Sequence, residues 1–444
     1  MGLASVPLAR VLAVCGAAYL AAVLVLVVSR MPLGSGLFFT TAAIACAAYT
    51  VAIARVWRES AAPRPLFTAA ILLAVAFRIP PAVAPVGIDS DMVRYLWDGR
   101  VQTLGYNPYA ILPSNPALPH THVDGSDRMP SRNDRTPYPP AAQLFFRMVV
   151  TISDSALAMK LALVFCDLLA IAVLRRWLAA AGRSEWLTLT YAWNPLVVFE
   201  IAHSGHVDAL GALWIVAAAY WLTRRRTLLA TLAFVLAIAT KLVPIVLAPL
   251  FVGRIRRRDA VAGVLLLALL YLPFSSGGDV PLGAVPNVVQ RVRFNGPLFA
   301  MLSTLSFPRM AAGVALVLAV SAAIVARLRL GAADPAAWAW PMAIAIACAP
   351  VIYPWYLLYL TPFLFTTATL PLTVWTVSVL PVYEVWRQSR MGGRWRPPVW
   401  VMVVEFGSVI AATLLVRRRL RMQRHERTRP SEGEDAATIG TLKP

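Results

Sequence analysis

Long apolar runs separated by short polar breaks recur along nearly the whole chain. Runs over residues 8–28, 36–54, 66–86, 157–174, 187–202, 207–222, 260–274, 310–326, 336–352 and 399–416 each approach the roughly 20 residues that a helix needs to cross a bilayer. Each is predicted to be a spanning helix. Two intervals do not fit single crossings. Residues 227–251 lie between two basic loops, so the chain must enter and return there, as a hairpin of short helices with Thr-Lys-Leu-Val-Pro at its tip. Residues 355–385 are too long for one pass and are expected to fold back near Pro371. Non-helical backbone at that depth needs cover from protein or from a water-filled cavity. The pattern therefore predicts an all-α polytopic bundle of about 12–13 transmembrane helices. The first run resembles a secretory signal, with Arg10 near its start, but Val-Val-Ser-Arg is a poor cleavage site, so it reads as a first span.

Composition agrees with this pattern. The 444 residues are 59% hydrophobic and only 14% charged, against about a quarter charged in a soluble domain. Mean hydropathy is +0.67. The net charge of +20 invites a nucleic-acid partner, but the basic residues fall in short loops: Arg55, Arg58 and Arg64; Arg175, Arg176 and Arg183; Arg224 to Arg226; Arg254 to Arg258; Arg327 and Arg329; Arg417 to Arg424. That is the positive-inside spacing of a membrane protein and not a continuous basic stripe, so no nucleic-acid partner is expected. It puts the N-terminus in the cytoplasm and the long segment 87–156 outside, after three spans. Lys160, Lys241 and Lys443 are the only lysines. With the alanine-rich background, this arginine bias suggests a GC-rich bacterial genome and hence a bacterial cytoplasmic membrane. The four cysteines sit inside apolar runs without ligand spacing and read as small core residues. The polar tail 425–444, with its Pro and Gly, is expected to be disordered in the cytoplasm.

The acidic stretch after the third run is the chemical anomaly. On a helix from 91 to 104, Asp91, Tyr95, Asp98 and Gln102 form one stripe with Arg94 on its edge. Met92, Val93, Leu96, Trp97 and Leu104 cover the opposite side. This predicts an amphipathic helix lying in the membrane interface, with Trp97 at headgroup depth. Intrahelical pairing of Asp91 with Arg94 suits such a helix. Arg100 falls on the apolar side and must snorkel or meet an anion. Neither feature accounts for Asp89 and Asp91 together at the end of the third span.

DSDMVRYLWDGRVQTLGYNPY, then TPYPPAAQLFF, GHVDAL, ATKLVP and YPWYLLYLTPF resemble, in matching order from about residue 85 to 415, the polyprenol-phosphate-sugar-dependent mannosyltransferases of glycosyltransferase family 87 and its relatives. These belong to the GT-C membrane superfamily. The resemblance implies a GT-C-like domain over residues 1–424, and an acidic pair in the first large external loop, here Asp89 and Asp91, one of which is the general base on the acceptor hydroxyl. It implies a hexose, mannose above all, carried on a polyprenyl phosphate and moved to an extracytoplasmic glycan, lipid or protein acceptor. Like charges this close raise one pKa, and a carboxylate near the surface suits a base working near neutral pH. Asp91 heads the helix, at its positive end, and is favoured narrowly over Asp89. A lipid-phosphate donor lacks the diphosphate that a metal neutralises elsewhere, so neither metal nor other cofactor is expected.

The leaving phosphate needs cations. Lys241, an intramembrane charge at the hairpin tip, is the leading candidate. Arg291 and Arg293 in QRVRFNG are further candidates, although a solvated basic loop has equal standing, and Arg100 is another. Substrate contacts are expected from Arg94, Tyr95, Asp98, Asn107, Tyr109, Tyr138, His206, Asp208, Tyr353 and Trp355, the aromatic faces suiting sugar C–H surfaces. For the prolines around Tyr138, turn chemistry alone is a strong alternative. His203, His206 and Asp208 read as a hydrogen-bonding cluster more than as metal ligands. Arg387, Arg390, Arg394 and Arg396 form an external basic cluster against the positive-inside trend, suited to lipid headgroups. The alternative function is a transporter or flippase for a lipid-linked or anionic solute. It would place charges through the membrane depth and use two similar halves, whereas the acids here gather at one interface and no repeat is evident.

Overall fold

The computed structural model describes residues 7–59, 63–86, 91–123, 129, 131–275, 281, 283–284, 287, 290–305 and 307–428. Among them the secondary structure is helical, with one isolated bridge between Phe294 and Val351. The protein is a polytopic all-α membrane protein. Seven described helices are long and apolar enough to cross a bilayer. The other crossings expected from hydropathy fall on shorter helices and turns, mostly buried in the bundle apart from Arg257–Tyr271, whose apolar side chains are largely exposed.

Three long helices begin the chain: α1 (Leu8–Ser29), α2 (Gly36–Val56) and α3 (Arg64–Val83). Ser35 starts α2 by accepting a hydrogen bond from the amide of Phe38 at 3.1 Å, satisfying one of the donors that a helix start leaves open. Helix α1 packs on both α2 and α3, with Tyr19 stacked on Phe77 at 4.3 Å. Pro80 and Pro81 sit in the last turns of α3. Beyond them Lys160, from α6 (Ala156–Ala180), donates to the carbonyls of Pro81 and Ala84 at 2.5 and 2.7 Å. A cation is thus buried where helix carbonyls are unpaired and the dipole is negative. Deeper in the bundle Arg78 of α3 pairs with Asp167 of α6, while Tyr191 donates to the same carboxylate at 2.7 Å. Both of these buried cations have their partners.

Between α3 and α6 the chain forms α4 (Asp91–Thr103) and α5 (Pro140–Ile152). The run predicted as a span at 187–202 is not one continuous helix. It is a series of turns, Glu185–Thr188, α7 (Leu189–Ala192), α8 (Pro195–Val197) and a π-helical turn Val198–His203. Asn194 breaks it, its side chain accepting from the amide of Leu196 at 3.0 Å ahead of a proline that has no amide hydrogen. Almost all of this segment is buried, so protein groups serve the backbone that lipid cannot.

Then come α9 (Asp208–Thr223) and α10 (Thr227–Thr240), the former nearly all buried against α6 and α10. After α10 a 3-10 stretch, Val243–Phe251, returns the chain to α11 (Arg257–Tyr271). Thr227, at the start of α10, donates to Asp259 at the start of α11 at 2.6 Å. The hairpin is therefore present, with Lys241 and Leu242 at its turn. The second irregular interval breaks earlier than expected. Residues 354–363 form 3-10 turns, the break falls at Phe365 and Thr366, and Pro371 lies in the first turn of the Leu370–Ser378 helix, where its missing amide hydrogen does no harm.

Candidate active site

Helix α4 starts where expected, but past Asp91 its polar stripe does not face water. Asp98 is fully buried and accepts from Arg94 at 2.8 Å, Thr136 at 2.6 Å and Gln143 at 2.8 Å. Arg94 also reaches the carbonyls of Ser131 and Asp134, and Gln102 donates to Gln143. Gly99 lets α5 come close, since a methyl group there would lie 2.7 Å from the carbonyl oxygen of Phe146. Trp97, expected at headgroup depth, is instead buried with Val101 and Met129 and donates to Thr121 at 3.0 Å. The helix is amphipathic, but both faces are covered, because α5 and the loop around 129–136 supply polar partners that the periodicity of α4 alone does not reveal.

This scaffold presents Asp91 to a cavity of about 370 Å³. Asp91 is 32% exposed on its side chain and stands on one wall with His203, Ser204, His206 and Trp355. Tyr383, Trp386 and Arg390 belong to a second wall, and Arg30 to a third that continues through Leu26, Val27 and Met31. A last wall is Ala84, Pro85 and Val86, at the end of α3. Gly34 allows these walls to meet. Its φ is +77°, and an added Cβ would fall 2.1 Å from the carbonyl oxygen of Tyr383.

His206 lies between two carboxylates. Its Nδ1 is 3.8 Å from Asp91 and its Nε2 is 3.3 Å from Glu200. Glu200 is fully buried on the π-helical turn, and its other oxygen accepts from the hydroxyl of Tyr383. His206 is held by stacking on Trp355 at 4.0 Å and 11°, and Trp355 stacks in turn on Tyr353 at 4.4 Å and 5°. Nδ1 of His206 and Oε2 of Glu200 lack a closed hydrogen bond. Burial, with the charge of Asp91 behind it, holds the phenols of Tyr95 and Tyr138 well above their usual range, and burial pushes that of Tyr353 up to about 12. All three stay protonated around Asp91.

Of the expected site residues, Asp91, His206 and Trp355 come together in the cavity wall, with Tyr353 stacked behind. Asp89 lies outside the described residues. Tyr95 is buried under the site, stacked on Phe146 at 4.5 Å, with its oxygen 3.4 Å from the amide of Val207. Arg94 and Asp98 bind each other and the neighbouring loop. Tyr109 donates to the carbonyl of Tyr138 at 2.6 Å and Asn107 to that of Phe274 at 2.8 Å, so these three tie the loop down. Arg100 does meet an anion, and it is a protein carboxylate. It binds Asp154 through two nitrogens at 2.5 and 2.9 Å. Lys241 lies on Asp208 at 2.7 and 3.0 Å, over the ring of Tyr356; neither ion is in the cavity wall. Arg293 donates to the carbonyls of Val292 and Gln290 and lies over Phe299, and Arg291 is exposed beside it, both outside that wall. Among the described residues no group of three or more His, Cys, Asp or Glu side chains is placed to hold a metal ion.

Arg30, Glu200, Tyr383 and Trp386 did not emerge from the sequence. Glu200 carried a usable signal, being a carboxylate inside the apolar run LVVFEIA. Arg30 carried another, as a cation at the end of the first span opposite Arg10.

The all-helical membrane bundle thus gathers a carboxylate, an imidazole and arginines around one cavity. Residues 4–257, more than half of the chain, match the MptA_B family, described as Alpha-(1->6)-mannopyranosyltransferase, N-terminal domain. The chain belongs to this family, and it is a membrane glycosyltransferase of the mannosyltransferase kind. No curated protein and no solved structure matched it.

Proposed function

We propose that the protein transfers mannose from a polyprenyl-phosphate donor to a 6-hydroxyl of an extracytoplasmic acceptor, with inversion at the anomeric carbon and Asp91 as general base. Membership in an alpha-(1->6)-mannopyranosyltransferase family supports the linkage. One observation carries the mechanism: Asp91 reaches the cavity from the head of α4 with its carboxylate partly exposed, backed by His206 and, through it, Glu200. The acceptor oxygen attacks the anomeric carbon while the bond from that carbon to the phosphate oxygen breaks. The acceptor proton passes to Asp91, and the bonding pair leaves with the polyprenyl phosphate. His206 is a positioning residue that holds Asp91 toward the acceptor. The positive-inside pattern supports an extracytoplasmic active site, in the cytoplasmic membrane of a bacterium.

The experiment is mannosyl transfer by the purified protein, using polyprenyl-phosphate mannose and mannoside acceptors, with the product's linkage and anomeric configuration read by NMR. Asp91→Asn keeps the shape but takes no proton, and is expected to abolish turnover while donor binding persists. Asp89→Asn is expected to be milder. A dead Asp89 variant beside an active Asp91 variant would exchange their roles. Product with the donor's own anomeric configuration would exclude inversion.

A further inference from the structure

The cavity is polar at one end only. Around Asp91 and His206 it carries the groups of a reaction site, but along α1 and the end of α3 it is lined by Leu26, Val27, Met31, Pro85 and Val86. Met31 is 44% exposed and the neighbouring Val28 is 78% exposed, so this wall runs out toward the lipid-facing surface of α1. Two guanidinium groups stand where the two characters meet. Arg390 belongs to the Glu384–Arg390 helix and donates to the carbonyl of Leu33 at 2.7 Å, which sets it against the turn that carries Arg30. Both arginines line the cavity.

What marks them is their place in the cavity lining without a carboxylate on either among the described residues. Arg78, Arg94, Arg100, Arg175 and Arg387 are each paired with an acid within 4 Å. Among the described residues no carboxylate pairs with Arg30 or Arg390, and Asp91 is the one acid in the lining of the cavity. Two cations beside an apolar exit, with no carboxylate on either among the described residues, define a site for an anionic headgroup with a hydrocarbon tail. Guanidinium matches phosphate in charge and geometry.

We infer that Arg30 and Arg390 clamp the phosphate of the lipid-linked donor, with its polyprenyl chain leaving along Leu26, Val27, Met31 and the Ala84–Val86 wall. This rests on the proposed function and moves the phosphate away from Lys241. The clamp neutralises the second charge that the phosphate gains as the sugar leaves.

The test is binding by the full-length protein in detergent of four probes: polyprenyl monophosphate, the matching polyprenol, phosphatidylglycerol and inorganic phosphate. Binding is read by quenching of tryptophan fluorescence, Trp355 and Trp386 being in the wall. The wild-type protein is expected to prefer polyprenyl monophosphate to polyprenol by at least about ten-fold. Arg30→Gln and Arg390→Gln are each expected to weaken monophosphate binding about ten- to hundred-fold, the usual effect of losing a hydrogen bond to a charged group, and to leave polyprenol binding unchanged. Arg390→Lys is expected to keep part of the preference. Arg394→Gln removes the same charge from outside the cavity and is expected to change nothing. Glutamine variants that elute as folded monodisperse protein and still prefer the phosphate would overturn the clamp. Equal affinity for phosphatidylglycerol and polyprenyl monophosphate would also overturn it, in favour of a bulk-lipid headgroup site, as would equal affinity for inorganic phosphate. A wild-type protein that does not distinguish the monophosphate from polyprenol would instead remove the polyprenyl-phosphate donor itself.

Discussion

Lys241→Met tests what the cation at the hairpin turn does. Its ammonium lies 2.7 Å from one oxygen of Asp208, a carboxylate with no exposed side-chain surface, and is itself 17% exposed. At that separation the attraction is about 6 kcal/mol with an effective dielectric of about 20, and desolvation of the two ions offsets much of it. Removing one partner leaves the other buried and unpaired, which typically costs about 3–5 kcal/mol. Lys241→Met is therefore expected to lower the thermal midpoint sharply and to lose activity with the fold. The double variant Lys241→Met/Asp208→Asn removes both charges, and is expected to recover most of the stability and, because neither side chain lines the cavity, most of the turnover. Thermal unfolding followed by size-exclusion chromatography in detergent gives the stability, and mannosyl transfer on the same preparations gives the rate. A double variant as stable as wild type yet inactive would refute the structural role and return Lys241 to the donor phosphate.

Gly34→Ala places a methyl group against the carbonyl of Tyr383 at a positive φ; destabilisation beyond about 1 kcal/mol and a raised donor KM are expected from thermal and kinetic assays. Glu200→Gln keeps the contact to Tyr383 but leaves His206 one facing carboxylate, so turnover is expected to fall about ten-fold, or about 1.4 kcal/mol of barrier, with polyprenyl-phosphate binding unchanged; unaltered turnover would detach Glu200 from the reaction. A cysteine at the exposed Ala117 in a background lacking the four native cysteines is expected to react with an impermeant thiol reagent in whole cells, whereas labelling only after lysis would reverse the orientation of the 87–156 segment.

The long helices were legible because lipid-facing sequence has one requirement, apolar residues over a fixed length, and α1, α2, α3 and α6 all meet it. The bundle's interior was less legible. Hydropathy cannot distinguish a spanning helix from the turns at 185–203, because both are apolar; only Asn194 followed by Pro195 marks the break. Asp91 was legible from its place ahead of an amphipathic period. The fates of Arg100 and Lys241 were not, since their partners Asp154 and Asp208 lie far away in sequence and an unpaired cation looks the same in a sequence as a paired one. Arg30 was obscured for the opposite reason: one arginine at the end of a span reads as an ordinary anchor until the fold brings Arg390 to it.

Helices α9 and α10 are short for their setting. At about 1.5 Å per residue, the 16 residues of α9 rise about 24 Å and the 14 of α10 about 21 Å, against a hydrocarbon thickness of about 30 Å. Their shared turn, Arg224 to Arg226, is exposed at one surface. Asp208 and Lys241, at the other end, therefore stop about 6 Å or more below the opposite face, while α1, with 22 residues, rises the full depth. On the proposed function, the reaction centre near these helix ends is the floor of a depression in the membrane. A lipid-borne sugar must sink below the headgroup plane to reach it, and hydrophobic mismatch governs how far. Turnover in reconstituted vesicles is then expected to depend on acyl-chain length, with bilayer thickness acting as a substrate-delivery parameter independent of the chemistry.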